Sequence, residues 1–289
     1  MNRLLECALF VVGLVFGSFL NVCISRIPRD ESIVSPPSHC PGCGAGIRWF
    51  DNIPVLSWLL LRGRCRACGE RISWRYPAVE LLTALCFAGC YAAFGPTLTA
   101  AKFCVFSFLL VGLIFMDAET GLLPREFTYT GIVIGLASAW IAPTDYSGTA
   151  FLLRIFGREL TNTHALSLID AGLGAAVGAG FFYLAWGMYY IVRKRHGLGF
   201  GDIALMAMSG AFLGLKLVLL VIVLSPISGV VYVAVLLVRE AIRPASAQQP
   251  PPESAFLLRE IPFGVFLGAC SLFAIFAGET VWAWYLRLF

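Results

Sequence analysis

The 289-residue chain is 59% hydrophobic and only 13% charged, with a net charge of +4 and a mean hydropathy of +0.82. These values exclude an ordinary soluble globular protein, in which about a quarter of the residues are charged. Apolar runs recur along the chain at about the 20 residues that a membrane helix needs. The composition therefore predicts an all-α polytopic membrane protein.

Eight apolar segments are candidate membrane helices. They are predicted at residues 4–24, 77–95, 98–116, 127–142, 165–192, 203–215, 217–238 and 261–285. The first lacks a small-residue cleavage site and is expected to be retained. The segment 203–215 is short for a full crossing, so one tilted helix over 203–238 is the alternative. Charges at 239–259 favour two crossings, and we expect about eight transmembrane helices.

The placement of positive charge predicts the orientation. With the N-terminus outside, fifteen of the 21 Lys and Arg residues fall in cytoplasmic loops. Short cytoplasmic loops of membrane proteins carry such an excess of positive charge. We therefore expect the loops that follow the first, third, fifth and seventh segments to be cytoplasmic.

Residues 25–76 form the one sizeable polar loop, which holds Cys40-Pro41-Gly42-Cys43 and Cys65-Arg66-Ala67-Cys68. Two such pairs indicate a site in which Cys40, Cys43, Cys65 and Cys68 bind one Zn²⁺ as thiolates. Two disulfides are the alternative, which a reducing cytoplasmic position disfavours. The aromatic spacer 47–59 is expected to pack on the zinc site or to lie against the membrane surface. The chain thus divides into a first transmembrane helix (1–24), a zinc-binding loop domain (25–76) and a membrane domain (77–289).

Two aspartates lie at predicted ends of membrane helices. Asp202 follows Gly197-Leu198-Gly199-Phe200-Gly201, and its alternating glycines, including Gly199 and Gly201, let another chain approach closely. An N-cap role is sufficient to explain Asp202 when this residue is considered by itself. It does not explain Asp117, because the dipole at a helix C-terminus disfavours negative charge. Both lie at predicted cytoplasmic ends, where two adjacent carboxyls can share one proton.

Three polar residues near the same helix ends are further candidates. Asn21 and Arg26 close the first helix, and Glu80 lies about one turn into the second. Asn21 is explained by a hydrogen bond to a neighbouring helix, and Glu80 by the helix dipole. Alternatively, these residues line a cytoplasmic-side substrate site.

Together these motifs resemble the type IV prepilin peptidases, which are bifunctional leader peptidase/N-methyltransferases of the Gly-x-Gly-Asp class of intramembrane aspartic proteases. The resemblance covers most of the chain. Its further pieces are Gly17–Pro28, Asn52-Ile53-Pro54, Leu61-Arg62-Gly63, Arg75–Ala84, Leu123-Pro124 and Ile261–Gly264.

The resemblance implies that Asp117 and Asp202 are the catalytic pair. It implies prepilin and pseudopilin substrates, of type IV pili or type II secretion, cleaved after a Gly at the cytoplasmic face of the bacterial inner membrane. The new N-terminal amine would then be methylated by S-adenosyl-L-methionine. Asn21, Arg26 and Glu80 become candidates for the substrate or methyl-donor site.

Four positions depart from the usual family pattern. Ala204 stands where a Lys is common, Arg125 where an Asp is frequent, and Glu119 where a second Asp is frequent. Val265 stands where a Pro is frequent. None of these changes touches the two aspartates, and they leave substrate preference open.

Two functions of other classes compete with this reading. A proton-coupled transporter would place paired carboxylates near the middle of the bilayer, in broken helices of two related halves. A non-catalytic zinc-bearing membrane scaffold would keep its function without either aspartate. We expect the lipid bilayer and prepilins as partners, and no nucleic acid.

Overall fold

The computed structural model describes residues 2–157, 160–194, 199–242 and 262–288. Within these ranges the regular structure is helical, as predicted, and no extended strand is present. The helices are α1 (Arg3–Arg26), α2 (Leu56–Leu60), α3 (Arg75–Phe94), α4 (Leu98–Thr120), α5 (Arg125–Ile141), α6 (Ser147–Ile155), α7 (Thr163–Arg193), α8 (Phe200–Ile242) and α9 (Phe263–Leu286).

Short polar residues and glycines fix the ends of the membrane helices. The side chains of Asn2, Thr97 and Asn162 accept hydrogen bonds from the first N–H groups of α1, α4 and α7. These N–H groups have no partner within the helix, which is why Asn and Thr are favoured there. Gly95 and Gly121 end α3 and α4 with positive φ angles that suit glycine.

Glycines also bring helices into close contact. A Cβ atom on Gly17 of α1 would lie 2.6 Å from the Cα of Glu80 on α3. A Cβ atom on Gly210 of α8 would lie 2.1 Å from the carbonyl oxygen of Gly174 on α7. Membrane helices use such small residues because they gain no hydrophobic energy by leaving lipid and depend on close packing.

The chain reverses direction inside α8, at Gly214. Gly214 has φ 77° and ψ 178°, which are not helical. Ser209, before Gly214, accepts a hydrogen bond from the hydroxyl of Ser271 on α9 at 3.0 Å. Ser228, after Gly214, has its hydroxyl 3.7 Å from the Sγ of Cys270, also on α9. Because both serines meet the same turn of α9, α8 consists of two antiparallel arms. We name residues 200–213 the first arm and residues 215–242 the second arm.

Six described helices are long and apolar enough to cross a membrane: α1, α3, α4, α7, α8 and α9. This is fewer than the eight crossings predicted, for two reasons. α5 has only 17 residues, and the two arms of α8 count as one helix. The predicted segments 203–215 and 217–238 do lie in separate arms of α8.

The ends of the helices define two ends of the bundle. Arg75 at the start of α3 pairs with Glu119 at the end of α4, with 2.5 Å between Nη1 and Oε2. The end of α4 also meets the start of α9 through Asp117. We call this the loop end, because the loop between α1 and α3 lies here. The opposite end is the far end.

A polar cluster at the far end fixes the reversal of α8. Asp170 of α7 is buried and accepts hydrogen bonds from the hydroxyl of Thr149, at 2.6 Å, and from the N–H of Leu215. A Cβ atom on Gly214 would clash with the Asp170 carboxylate. Asp170 therefore caps the second arm of α8.

Candidate active site

Asp117 lies in the last turn of α4 and is only 6% exposed. Its carboxylate faces the start of α9, where the N–H of Val265 donates to Oδ2 at 2.9 Å and the N–H of Gly264 also contributes. The first N–H groups of a helix carry partial positive charge. The start of α9 therefore compensates for the unfavourable position of a carboxylate at the end of α4.

Asp202 is the third residue of α8 and is 8% exposed. The helix begins at Phe200, earlier than the apolar run from Ile203 indicated, so Asp202 lies inside its first turn. Asp202 Oδ2 accepts the N–H of Gly199 at 3.2 Å, and the Asp202 N–H donates to the Gly199 carbonyl at 3.2 Å. Asp202 is therefore not the N-cap that the sequence suggested. Its carboxylate binds the N–H of the cap residue from the third helical position, as the acidic residue of a capping box does.

Leu123 lies between the starts of the two helices that surround the site. A Cβ atom on Gly201 would lie 2.8 Å from the Leu123 Cβ, and one on Gly264 would lie 3.0 Å from the Leu123 Cδ1. The carboxyls of Asp117 and Asp202 are close enough to interact electrostatically. The structure therefore brings the two predicted aspartates together at the loop end, from different helices.

Such a pair has the properties of an acid–base catalyst. Two neighbouring buried carboxyls resist being ionised at the same time, because each negative charge raises the energy of the other. One carboxyl then carries the proton and can donate it, while the other is ionised and can accept one. This combination suits hydrolysis of an amide, in which water must lose a proton and the carbonyl oxygen must gain one.

The four predicted metal ligands also come together, in the loop between α1 and α3. The Sγ atoms of Cys40, Cys43, Cys65 and Cys68 lie within 4.8 Å of one another, and none of these cysteines is in a disulfide. Cys40 Sγ and Cys68 Sγ are 3.8 Å apart. Zinc–sulfur bonds of about 2.3 Å in a tetrahedron separate the sulfurs by about 3.8 Å. The thiol set fits one Zn²⁺.

The two cysteine pairs share one backbone geometry. The N–H of Gly44 donates to the Cys40 carbonyl at 2.9 Å, and the N–H of Gly69 donates to the Cys65 carbonyl at 2.9 Å. Gly44 and Gly69 have φ angles of 69° and 73°, in the left-handed region that favours glycine. Each pair therefore turns tightly enough to present two sulfurs to one ion.

Neighbouring backbone groups prepare Cys65 for metal binding. Backbone N–H groups of Cys68 and Ala67 stabilise the Cys65 thiolate and lower its pKa to about 7. A thiol must lose its proton to become a ligand, so Cys65 is readily available. Arg66 lies inside this pair and binds both oxygens of Asp51 in the spacer, which holds the pKa of Asp51 below its ordinary value.

Comparison with known proteins shows to which family the chain belongs. One family model, described as the bacterial peptidase A24 N-terminal domain, matches residues 11–94, and a second, the type IV leader peptidase family, matches residues 104–234. The prepilin leader peptidase/N-methyltransferase of Aeromonas hydrophila is 32% identical over 309 residues, which cover 97% of this chain and 93% of that protein. This chain belongs to the type IV leader peptidase family.

Further relatives of this peptidase have the same name. The Bacillus subtilis prepilin leader peptidase/N-methyltransferase is 33% identical over 285 residues, which cover 97% of each chain. The Myxococcus xanthus protein is 43% identical over 223 residues, which cover 77% of this chain but 60% of the relative. No solved structure matches the chain. The family models cover both aspartates and all four cysteines.

The three other candidate residues lie at the loop end of the peptidase. Arg26 donates to the carbonyls of Ser32 and Pro36 and lines a cavity of about 370 Å³. Glu80 is buried and accepts the N–H of Val55 at 2.7 Å, which joins the loop to α3. Asn21 lies near the end of α1, where it contacts the start of α3.

Asn21 is 2% exposed, and its Nδ2 donates to the carbonyl of Tyr76 at 3.0 Å. This bond joins α1 to α3, as the packing interpretation predicts. Its Oδ1 is buried and has no hydrogen-bond partner within the described part of the chain. Burying such an acceptor unpaired costs free energy. Asn21 therefore has one acceptor available for another group.

Sequence reasoning missed two contributors to the site. Leu123 packs against Gly201 and Gly264, and Val265 binds Asp117 through its backbone. Leu123 belongs to the Leu123-Pro124 motif, which could have indicated its place in the site. The contact of Val265 is made by its backbone and cannot be predicted from the residue type. The stretch 195–198, with Gly197 of the glycine motif, and Ile261 lie outside the described residues.

Proposed function

We propose that this chain cleaves the leader peptide of type IV prepilins and pseudopilins after a Gly, and then methylates the new N-terminal residue with S-adenosyl-L-methionine. The observation that carries the proposal is the pair of buried carboxyls, Asp117 and Asp202, in a chain of the type IV leader peptidase family. The names of its relatives, prepilin leader peptidase/N-methyltransferase, support both reactions.

The dyad supplies the chemistry of cleavage. One carboxylate of the pair takes a proton from a water molecule, whose oxygen attacks the carbonyl carbon of the scissile bond. The other carboxyl donates its proton to the carbonyl oxygen. Burial strengthens these interactions, because charges act more strongly where water is excluded.

The loop end is proposed to face the cytoplasm, with the bacterial inner membrane around the helices. Support comes from the excess of Lys and Arg in the loops assigned to that side. The exposed arginines of the zinc loop, including Arg62, Arg64 and Arg71, lie at this end. The dyad would then meet its substrate where a cytoplasmic leader enters the membrane.

Zn²⁺ is proposed to be held by Cys40, Cys43, Cys65 and Cys68, which fit it in distance and in chemistry. A four-thiolate zinc site has no open coordination position and stabilises a fold. Here it would join two halves of a loop that has little other regular structure. The zinc is therefore assigned a structural role.

S-adenosyl-L-methionine supplies an electrophilic methyl group to the amine that cleavage releases. Asn21, Arg26 and Glu80 are proposed to face the substrate or the methyl donor. Of these, Asn21 has the strongest support, because its buried Oδ1 is free to accept a hydrogen bond within the described chain. The guanidinium of Arg26 and the carboxylate of Glu80 already bind the loop.

The test is cleavage of a prepilin-type peptide by the purified protein and by Asp117→Asn and Asp202→Asn. Both variants should lose cleavage while keeping zinc content and thermal stability. Asp30→Asn is the matched control, since Asp30 is exposed and has a φ of 56°, which Asn tolerates. Cleavage that survives in either dyad variant would reject Asp117 and Asp202 as the catalytic pair. No cleavage by folded wild-type protein would reject the peptidase and favour the scaffold.

A further inference from the structure

We propose that the backbone N–H of Val265 holds Asp117 in its ionised form, so that Asp117 is the base of the dyad and Asp202 is the acid. Val265 acts as a positioning residue, and the inference rests on the proposed peptidase activity. The N–H of Val265 lies 2.9 Å from Asp117 Oδ2 and 3.3 Å from the carbonyl of Pro262. The carboxylate is the nearer acceptor, and an ionised acceptor forms the stronger bond.

The position of this donor in α9 accounts for its effect. Val265 is the third residue of α9, so its N–H belongs to the first turn and points out of the helix start. The Gly264 N–H contributes beside it. A Cβ atom on Gly264 would lie 2.9 Å from Asp117 Oδ2, so the glycine lets the carboxylate approach. The helix start is thus shaped around one oxygen of Asp117.

Within the part of the chain that the structure describes, Asp202 has no equivalent donor from a second helix. Its Oδ2 binds the N–H of Gly199, which belongs to its own helix start, at the longer distance of 3.2 Å. Asp117 therefore has the better environment for negative charge, and the shared proton resides on Asp202. The side chain of Val265 has no part in this difference; only the presence of its N–H matters.

Only one residue type at position 265 would remove this donor. Proline has no N–H and cannot make this bond. It is nevertheless tolerated in the first turn of a helix, where N–H groups lack helical partners. Replacement of Val265 by Pro should therefore remove the donor with little change of the fold.

The assignment balances the steps of hydrolysis. Ionised Asp117 takes a proton from water as the water oxygen bonds to the carbonyl carbon, and Asp202 gives its proton to the carbonyl oxygen. The tetrahedral intermediate then breaks its C–N bond. Asp117 returns its proton to the leaving amine, and a hydroxyl of the intermediate returns one to Asp202, which restores both groups.

Other charged groups near Asp117 come from the helices packed against α4. Asp202 on the first arm of α8 interacts with it directly. The described charges of α9, Glu279 and Arg287, lie at the far end. The remaining described groups at the loop end of these helices are the pair Glu119 and Arg75, the buried Glu80 bound to Val55, the loop-bound Arg26, and the exposed Arg125 and Glu126.

The test compares the pH dependence of kcat for Val265→Pro and Val265→Ala, with wild type beside them. Alanine keeps the N–H, so its acidic limb should lie at the same pH as that of wild type, whatever its kcat. Proline removes the donor, so the acidic limb should move to higher pH by about one unit, with kcat at the plateau reduced only a few-fold. A purely structural change would lower the whole profile without moving the limb.

A second variant distinguishes loss of the N–H from misfolding of Val265→Pro. Replacement of Val265 by its α-hydroxy acid, through nonsense suppression, deletes the N–H and keeps the side chain. It should show the same shift at unchanged zinc content. An unmoved acidic limb in this variant, or a shift confined to the alkaline limb, would overturn the assignment. Cleavage by wild type and Val265→Ala would show that the peptidase proposal itself still holds.

Discussion

Replacement of Gly210 by Ala tests whether close packing of the first arm positions the dyad. Gly210 lies on α8, eight residues after Asp202. A Cβ atom there would lie 2.1 Å from the carbonyl oxygen of Gly174 and 2.5 Å from the nitrogen of Ala175, whereas ordinary contact begins at 3.4 Å. Both neighbours are backbone atoms and cannot rotate away. α7 and the first arm must therefore separate by about 1.3 Å, the difference between these distances.

The expected cost follows from that displacement. Overpacking of this kind costs about 1–3 kcal/mol, offset by about 0.5–1 kcal/mol because Ala favours the helix over Gly. We expect a net loss of about 1–2 kcal/mol in the free energy of unfolding. A shift of about 1 Å at reacting groups costs on the order of 100-fold in rate. The loss of kcat should therefore exceed what the unfolded fraction explains.

The assay is kcat for cleavage of a prepilin-type peptide, measured with thermal unfolding of the same samples. Gly180→Ala is the matched control, because a Cβ atom on Gly180 of α7 would meet no atom within 4 Å. It should keep wild-type activity and stability. A Gly210→Ala protein with wild-type kcat would refute the view that the contact between α7 and the first arm sets the position of Asp202.

Three further predictions concern the zinc loop and the far end. Cys65→Ser should lower bound zinc from about one ion per chain to well below half. Cys7→Ser is the control, because Cys7 lies outside the cysteine pairs and should not affect zinc. Elemental analysis measures zinc in both variants, and equal zinc contents would contradict the site. In wild type, the affinity for zinc should fall as the pH is lowered through about 7, because protons then compete with the metal for the Cys65 thiolate. Asp170→Ala should lower the free energy of unfolding by about 2–4 kcal/mol, because the Thr149 hydroxyl and the Leu215 N–H lose their buried acceptor. Asp170→Asn keeps a hydrogen-bond acceptor and should lower the free energy of unfolding by less, as measured in the same thermal unfolding assay. Equal losses in the two variants would show that these hydrogen bonds do not account for the loss of stability.

The sequence predicted the elements whose signals are local. Apolar runs located the membrane helices within a few residues, and the spacing of the cysteines predicted the cluster that the structure forms. Asp117 was recognised because its place at a helix C-terminus had no capping explanation. In the structure, the explanation is the start of α9, about 150 residues further along the chain.

What sequence reasoning missed depends on contacts between distant segments. The reversal of α8 rests on one glycine and on Asp170 of another helix, whose carboxylate binds the N–H of Leu215. The predicted segments 203–215 and 217–238 anticipated the two arms, but not the contact of Gly214 with Asp170 at the turn between them. The backbone donor to Asp117 is equally invisible, because every residue except proline has the same N–H.

The reversal at Gly214 has a consequence for the lipid around the protein. The first arm has 14 residues and is about 21 Å long, whereas the hydrocarbon core of a typical bilayer is about 30 Å thick. With the dyad held at the loop end, the turn at Gly214 and the polar cluster around Asp170 lie below the opposite membrane surface. A membrane relieves such a mismatch by thinning locally. The enzyme should therefore be sensitive to acyl-chain length, and in vesicles of long-chain lipids the far end must draw water inwards or tilt the helix that carries Asp202.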